Sequence, residues 1–272
     1  MWNDFAGRAV LVTGGTRGIG LATGLAFGAL GADVVLTYKW GSADDADVIE
    51  AFKRIGAAPP LLVRSDASRD DDVRDVLREI AARHTRLEVL VSNVAFGPTV
   101  SGLEDYTKRG LMMTIDYSAW PLVAHVIAAR EIFGQAPHYV VGVSSEGPDT
   151  MHVGYDLIAA AKATLETFCR YLHYRLRDEG TIVNAVRTRF IDTDALTATF
   201  GAEFAPFIRR YEPDTLTKPE AVAAAIVGLC AGPMDAVGGQ VVTIDGGAGV
   251  FENFSRLFQE RHIRPITPKE IV

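Results

Sequence analysis

Tyr155 and Lys162 lie seven residues apart in a helix-period stretch running from Tyr155 to Arg177. A phenol can donate a hydrogen bond to an oxygen on which negative charge is growing. A lysine set among Ala159, Ala160, Ala161 and Ala163 calls for a polar partner. On a helix, positions 155, 158 and 162 fall at i, i+3 and i+7 and share one face. Seven residues rise about 10 Å, and helical side chains lean toward the N-terminus, so the two polar heads address a ligand between them rather than each other.

A second constellation stands near the start of the chain. The aliphatic run Ala9 to Thr13 leads into Gly14-Gly15-Thr16-Arg17-Gly18-Ile19-Gly20, a glycine turn that opens a helix. Gly14 permits the tight turn, Gly18 lets a phosphate approach the backbone, and Gly20 lets helix and strand pack closely. A pyrophosphate would rest on the free N–H groups of that helix N-terminus. At the end of the second strand, where an acid would hold the ribose hydroxyls of NAD, this chain has Tyr38-Lys39. Lys39 and Arg17 are suited to clamp a ribose 2′-phosphate, which favours NADPH over NADH.

The elements that must carry these residues alternate throughout. Strand-like runs occur at Ala9 to Thr13, Val34 to Tyr38, Leu61 to Val63, Val89 to Ser92, Tyr139 to Val143, Ile182 to Val186 and Gln240 to Ile244. Between them lie helical stretches at Gly18 to Leu30, Ala43 to Ile55, Asp71 to His84, Leu103 to Phe133, Tyr155 to Arg177 and Pro219 to Cys230. The strands lack polar alternation, so both faces of their sheet are covered, and helical crossovers make it parallel. The reading is a single α/β domain over 1–250, a Rossmann-type doubly wound parallel sheet of about seven strands with helices on both faces. Ile191 to Leu216 reads as an irregular substrate loop or lid, and 251–272 as a C-terminal extension.

The chain has 272 residues, 48% of them hydrophobic, enough for one large core. Its 27 basic residues against 34 acidic ones leave a charge of -7, which argues against nucleic acid or an anionic membrane surface as partners. The longest apolar run, Ala221 to Ala231, is too short to span a bilayer. Cys169 and Cys230 sit in apolar, helix-like stretches that suit reduced thiols. With no secretion signal at the N-terminus, these features suggest a soluble cytoplasmic protein. The six histidines, His152 among them, lack metal-ligand spacing, so no metal is expected and structural or surface roles are assigned to them.

From the glycine turn to Ile244-Asp245-Gly246-Gly247 the chain resembles the short-chain dehydrogenase/reductase family. Asp66-Ala67 is similar to the family's adenine contact, and Ser92-Asn93-Val94-Ala95-Phe96 stands where many members read N-N-A-G. The ketone reductases of the family place Tyr four residues before Lys, but that position here is Ile158. The Tyr155-x6-Lys162 spacing resembles the family's divergent enoyl-thioester reductases, the group of FabL-type enoyl reductases and cyclohexenylcarbonyl-CoA reductases. The resemblance implies that Lys162 binds the nicotinamide ribose and Tyr155 hydrogen-bonds an enolate oxygen. It implies that Asn93, Val94, Ile191 and Thr193 contact the cofactor, that Ser145 assists the tyrosine, and that the chain assembles as a homo-oligomer, commonly a tetramer.

Three departures keep the substrate open. Arg187-Thr188-Arg189-Phe190 replaces the small residues usual after the sixth strand, and Asp116 stands where many members carry Asn. Arg187 and Arg189 either recognise an anionic group of the substrate, beside Phe96, or pair with Glu146 or Asp149. Ser145 either assists catalysis or caps backbone. The leading expectation is NADPH-dependent reduction of an enoyl thioester carried on CoA or an acyl carrier protein, in fatty-acid or polyketide-type metabolism. The alternatives are a ketoreductase with a displaced tyrosine and a non-catalytic NADP-binding module.

Overall fold

The seven aliphatic runs become the seven strands of one parallel sheet in the computed structural model, which describes residues 4–40, 43–211 and 215–250 together with Ser255, Phe258 and Gln259. The remainder of the expected extension 251–272 lies outside the described residues. The strands are β1 (Ala9–Thr13), β2 (Asp33–Tyr38), β3 (Leu61–Arg64), β4 (Leu87–Ser92), β5 (Tyr139–Ser145) and β6 (Ile182–Thr188), with two short ones, β7 (Phe190–Ile191) and β8 (Leu216–Thr217), before β9 (Val241–Ile244). The main sheet runs β3-β2-β1-β4-β5-β6-β9, and β7 pairs with β8 in a separate two-stranded sheet. The strand order reverses between β1 and β4, which opens a crevice beyond their carboxyl ends.

Helices α1 (Gly18–Gly28), α2 (Asp45–Arg54), α3 (Asp70–Ala81), α4 (Lys108–Ser118), α5 (Trp120–Phe133), α6 (Asp156–Leu176) and α9 (Pro219–Leu229) supply the crossovers. Successive residues of β1 feed opposite cores. Val10 and Val12 pack with Phe27, Leu36, Phe52 and Ile226, whereas Ala9 and Leu11 pack with Leu77, Leu90, Leu122 and Leu165. Both faces are thus closed by helices, and the strands are apolar on both sides for that reason. Asp44 caps α2 by accepting from the Ala46 N–H at 2.8 Å, and Thr107 caps α4 by accepting from Gly110 at 3.0 Å.

Two expectations change. Leu103 to Phe133 is not one helix: a 3-10 turn at Leu103–Asp105 precedes α4, and α5 leaves α4 at a bend of 45°. Pro121, at the start of α5, has no N–H for a continuous helix to use. The segment Ile191 to Leu216 is not irregular, because it folds into α7 (Asp194–Phe200) and α8 (Phe204–Tyr211). Gly201, at φ +90, separates the two short helices and hides their period. The segment is tied at its base by Phe190↔Leu216 and Ile191↔Thr217 pairing. Cys169 and Cys230 are free and buried, and burial pushes the Cys169 thiol up to about 12. Among the described residues no single helix is long and apolar enough to cross a membrane.

Candidate active site

The glycine turn is locked to the neighbouring strand by Asn93. Its Nδ2 donates to the carbonyls of Thr13 and Gly14, each at 3.0 Å, and its backbone N–H donates to Thr13 Oγ1 at 3.0 Å. Gly14 and Gly18 have φ of +61 and +52, a region costly for any side chain. A Cβ on Gly20 would lie 2.2 Å from the Gly14 carbonyl oxygen, so Gly20 is the close-packing position and not a lining residue. The N-cap of α1, Arg17, makes no side-chain cap bond, which leaves the first-turn N–H groups facing the crevice. An anionic phosphate fits that cradle.

At the adenosine end the expected Lys39 and Arg17 differ in state. Lys39 Nζ forms an ion pair with Asp66, donates to the Tyr117 hydroxyl at 2.7 Å and lies 3.7 Å from the centroid of the Trp40 ring. Desolvation opposes the ammonium, but the Asp66 and Tyr117 contacts prevail and raise its pKa. Asp66 accepts from the Ser68 N–H and hydroxyl as well, so its carboxylate turns away from the cavity that Ser65 and Ala67 line. The exposed Arg17 lines the same cavity with no ion pair among the described residues. Trp40, Phe96 and Tyr117 form an aromatic cluster with ring centroids 5.4 to 5.7 Å apart. Trp40 and Tyr117 were not foreseen, since only spatial proximity joins them; Asp116 beside Tyr117 does not line the cavity.

At the other end, Tyr155 is the N-cap of α6 rather than a helical residue, with φ −101 and ψ 5. Its hydroxyl donates to Ser145 Oγ at 3.1 Å. Burial, supported by the charge of Glu146 and opposed by the Ser145 bond, lifts the phenol above its ordinary pKa. It is therefore a neutral donor at physiological pH. Lys162 is buried and donates to the Val143 carbonyl at 2.7 Å. Burial brings its ammonium down to about 8, against the opposing influence of Cys169 and Glu166. Tyr155, Ser145 and Lys162 line one cavity of about 470 Å³ together with Gly14, Thr16, Ile19, Tyr38, Asn93 and Val94. Ile158 is directed at Gly97, where a Cβ on Gly97 would lie 2.6 Å from Ile158 Cδ1.

The roof over Tyr155 is aromatic. Phe190 packs edge-on to His152 and Phe200, with centroids 5.5 and 6.0 Å away, and Ile191 and Thr193 line the cavity below them. Thr193 Cγ2 would stand 3.2 Å from a Cβ on Gly18, so the foot of the α7–α8 segment rests on the glycine turn. His152 Nε2 lies 3.0 Å from Glu146 Oε1, and Arg189 Nε lies 3.2 Å from the same oxygen. Both approaches lack hydrogen-bond alignment, so the Arg189 approach is a charge contact and the His152 approach a close polar contact. Metal spacing was the wrong test for His152, because its neighbours come from the β5–α6 loop and from β7.

The two arginines part company. Arg189 lines the cavity, but Arg187 does not. Arg187 Nη2 and Nε donate to the two oxygens of buried Glu166 at 2.7 and 3.0 Å, and Nη1 pairs with Asp149. The expectation of a substrate-binding Arg187 is thus corrected: β6 aims it at a buried carboxylate that needs a cation.

Residues 14–249 match the family model described as Enoyl-(Acyl carrier protein) reductase. The chain is 28% identical to a 3-oxoacyl-[acyl-carrier-protein] reductase of Synechocystis sp., an alignment covering 90% of this chain and 98% of that one. It is 27% identical to 1-cyclohexenylcarbonyl-CoA reductase of Streptomyces collinus, covering 88% and 86%. A short chain dehydrogenase from Burkholderia cenocepacia, solved in complex with NADP, superposes with a TM-score of 0.79 at 28% identity, covering 91% of this chain and all of that one. The open helix N-terminus, the glycine cradle and a buried lysine on the same cavity as a tyrosine fit NADP, the dinucleotide held by the Burkholderia structure. The chain belongs to the short-chain dehydrogenase/reductase family and is an NADP(H)-binding oxidoreductase related to the enoyl-acyl-carrier-protein and enoyl-CoA reductases.

Proposed function

We propose that the protein reduces the carbon-carbon double bond of an α,β-unsaturated thioester, carried on CoA or an acyl carrier protein, in fatty-acid or polyketide-type metabolism. The observation that carries the reading is the displacement of the phenol: Tyr155 lies at the helix N-cap, and Ile158, four residues before Lys162, packs on Gly97. The family match and the likeness to 1-cyclohexenylcarbonyl-CoA reductase support it.

The bound nicotinamide supplies the hydride. Lys162 would hold its ribose, the free N–H groups of α1 the pyrophosphate, and Arg17 the ribose 2′-phosphate. Ile191 and Thr193 would meet the carboxamide. Tyr155, neutral and held by Ser145, donates to the thioester oxygen as negative charge grows there, which stabilises the transition state more than the ground state. Arg189 would border the path of the acyl group, whereas Phe96 stands with Trp40 and Tyr117 toward the adenosine end.

A ketoreductase is the second reading, favoured by the 3.1 Å Tyr155–Ser145 bond, which equally suits a ketone oxygen. NADPH oxidation with crotonyl-CoA and with acetoacetyl-CoA separates the two. Turnover of the enoyl thioester is expected; turnover of the 3-oxoacyl thioester alone would overturn the proposal.

A further inference from the structure

We propose that His152 is the acid that protonates the α-carbon, with Glu146 as its orienting partner; this rests on the enoyl-thioester reading. The loop between β5 and α6 turns His152 inward while its neighbours Met151 and Val153 are 99% and 93% exposed. The turn is fixed at both ends. Asp149 and Thr150 N–H groups donate to the Glu146 carbonyl at 2.9 Å, and Gly154, at φ +76, passes its carbonyl to the Val100 N–H at 3.2 Å.

Glu146 faces Nε2 of the ring at 3.0 Å. Nδ1 has no hydrogen-bond partner among the described residues and is not sealed from accessible space. With Glu146 at Nε2, Nδ1 is the nitrogen assigned to the cavity that His152 lines. A carboxylate close to one imidazole nitrogen limits where the ring can turn and leaves the other nitrogen free to exchange a proton with a ligand. The ring stands edge-on to Tyr155, with centroids 6.1 Å apart, and under the Phe190–Phe200 roof. The oxygen and the carbon that change charge are thereby served by two different groups.

The step balances. Hydride arriving at the β-carbon sends the π electrons to the enolate, whose oxygen is held by Tyr155. The enolate electron pair then forms the Cα–H bond as the Nδ1–H bond of the imidazolium breaks, and the carbonyl re-forms. His152 is left neutral and regains its proton from solvent. The charged and titratable groups around the ring are Glu146, just after β5, Tyr155 from the cap of α6, and Arg189 from the β6–β7 junction, which meets the same Glu146 oxygen; the rest of its surroundings named here is aromatic.

The test compares wild type, His152→Asn, His152→Ala and Glu146→Gln with crotonyl-CoA and NADPH in D2O, with NADPH affinity measured by fluorescence. His152→Asn is expected to lower kcat about 100-fold with NADPH affinity unchanged. Its pH–rate profile differs from that of the wild type, and it scrambles the configuration of deuterium at Cα. Added imidazole restores part of the His152→Ala rate, and Glu146→Gln lowers kcat about tenfold. An active wild type with a His152→Asn variant equally fast, with the same pH profile and the same α-deuterium configuration, overturns this inference alone. A wild type that turns over no enoyl thioester overturns it together with the proposed function.

Discussion

Arg187 and Glu166 form a two-pronged ion pair across the junction of β6 and α6, with N···O distances of 2.7 and 3.0 Å, around a carboxylate only 3% exposed. Ser144 adds a hydrogen bond to the same carboxylate at 2.7 Å. Glu166 lies one helical turn beyond Lys162, so the pair also fixes the helix face that carries the lysine.

Arg187→Ala should therefore destabilise the fold by about 3 to 5 kcal/mol, because it strands a buried charge. The double variant Arg187→Met with Glu166→Leu should cost much less, and denaturant unfolding of the three proteins measures the difference. KM for the acyl substrate should be unchanged in any Arg187 variant that folds. A rise of tenfold or more would return Arg187 to the substrate site.

Tyr155→Phe keeps the ring and removes the donor. It should lower kcat by about 100- to 1000-fold, as loss of one preorganised donor does elsewhere, and leave the Kd for NADPH within about twofold. Lys162→Ala should instead weaken NADPH binding. Steady-state kinetics paired with fluorescence titration distinguish the two patterns; equal turnover by Tyr155→Phe and wild type would remove the phenol from the chemistry.

Arg17 and Lys39 make separable contributions to the cofactor preference. Arg17→Ala, which removes the unpaired cation, should raise the Kd for NADPH about tenfold with little effect on NADH, a loss typical of one charge-assisted contact. Lys39→Ala should have a smaller effect, because Asp66 already neutralises that ammonium. Isothermal titration with both dinucleotides reads the ratio, and a larger loss at Lys39 than at Arg17 would invert the assignment.

His125 is buried in α5, where burial drives its pKa down to about 4 and its Nδ1 sits 2.7 Å from the Pro121 carbonyl. Between pH 6.5 and 4 the unfolded chain takes up the proton and the folded chain does not, so stability is full above pH 6.5 and declines as pH falls through that window. By pH 5 the contribution lost is about 2 kcal/mol. His125→Leu should lose less stability than wild type between pH 7.5 and pH 5. Identical losses in thermal or urea unfolding would show that another group governs the acid limb.

The parts of the molecule legible in the sequence are those set by short-range pattern. The strand runs, the glycine turn and the Tyr155-x6-Lys162 spacing each depend on neighbours a few residues away, and the seven-stranded sheet puts Gly14, Tyr155 and Lys162 on one cavity. Long-range partnerships were hidden. Glu166 stands 21 residues before Arg187, on a helix whose burial periodicity gives no sign that its one inward acid needs a cation. Asp66 reads as an adenine contact by resemblance, and its ion pair with Lys39, 27 residues earlier, is not legible in either local sequence. The α7 and α8 helices are too short, at 7 and 8 residues, for a period to rise above their sequence.

The contact between Thr193 and Gly18 bears on the order of events. The base of the α7–α8 segment stands on the same glycine turn that receives the phosphates, and the aromatic roof above Tyr155 is the upper part of that segment. The phosphate cradle and the wall beside Tyr155 therefore share one support. Under the proposed reduction, an ordered cycle is expected, with the dinucleotide first to bind and last to leave, and inhibition by NADP+ that is competitive against NADPH checks it.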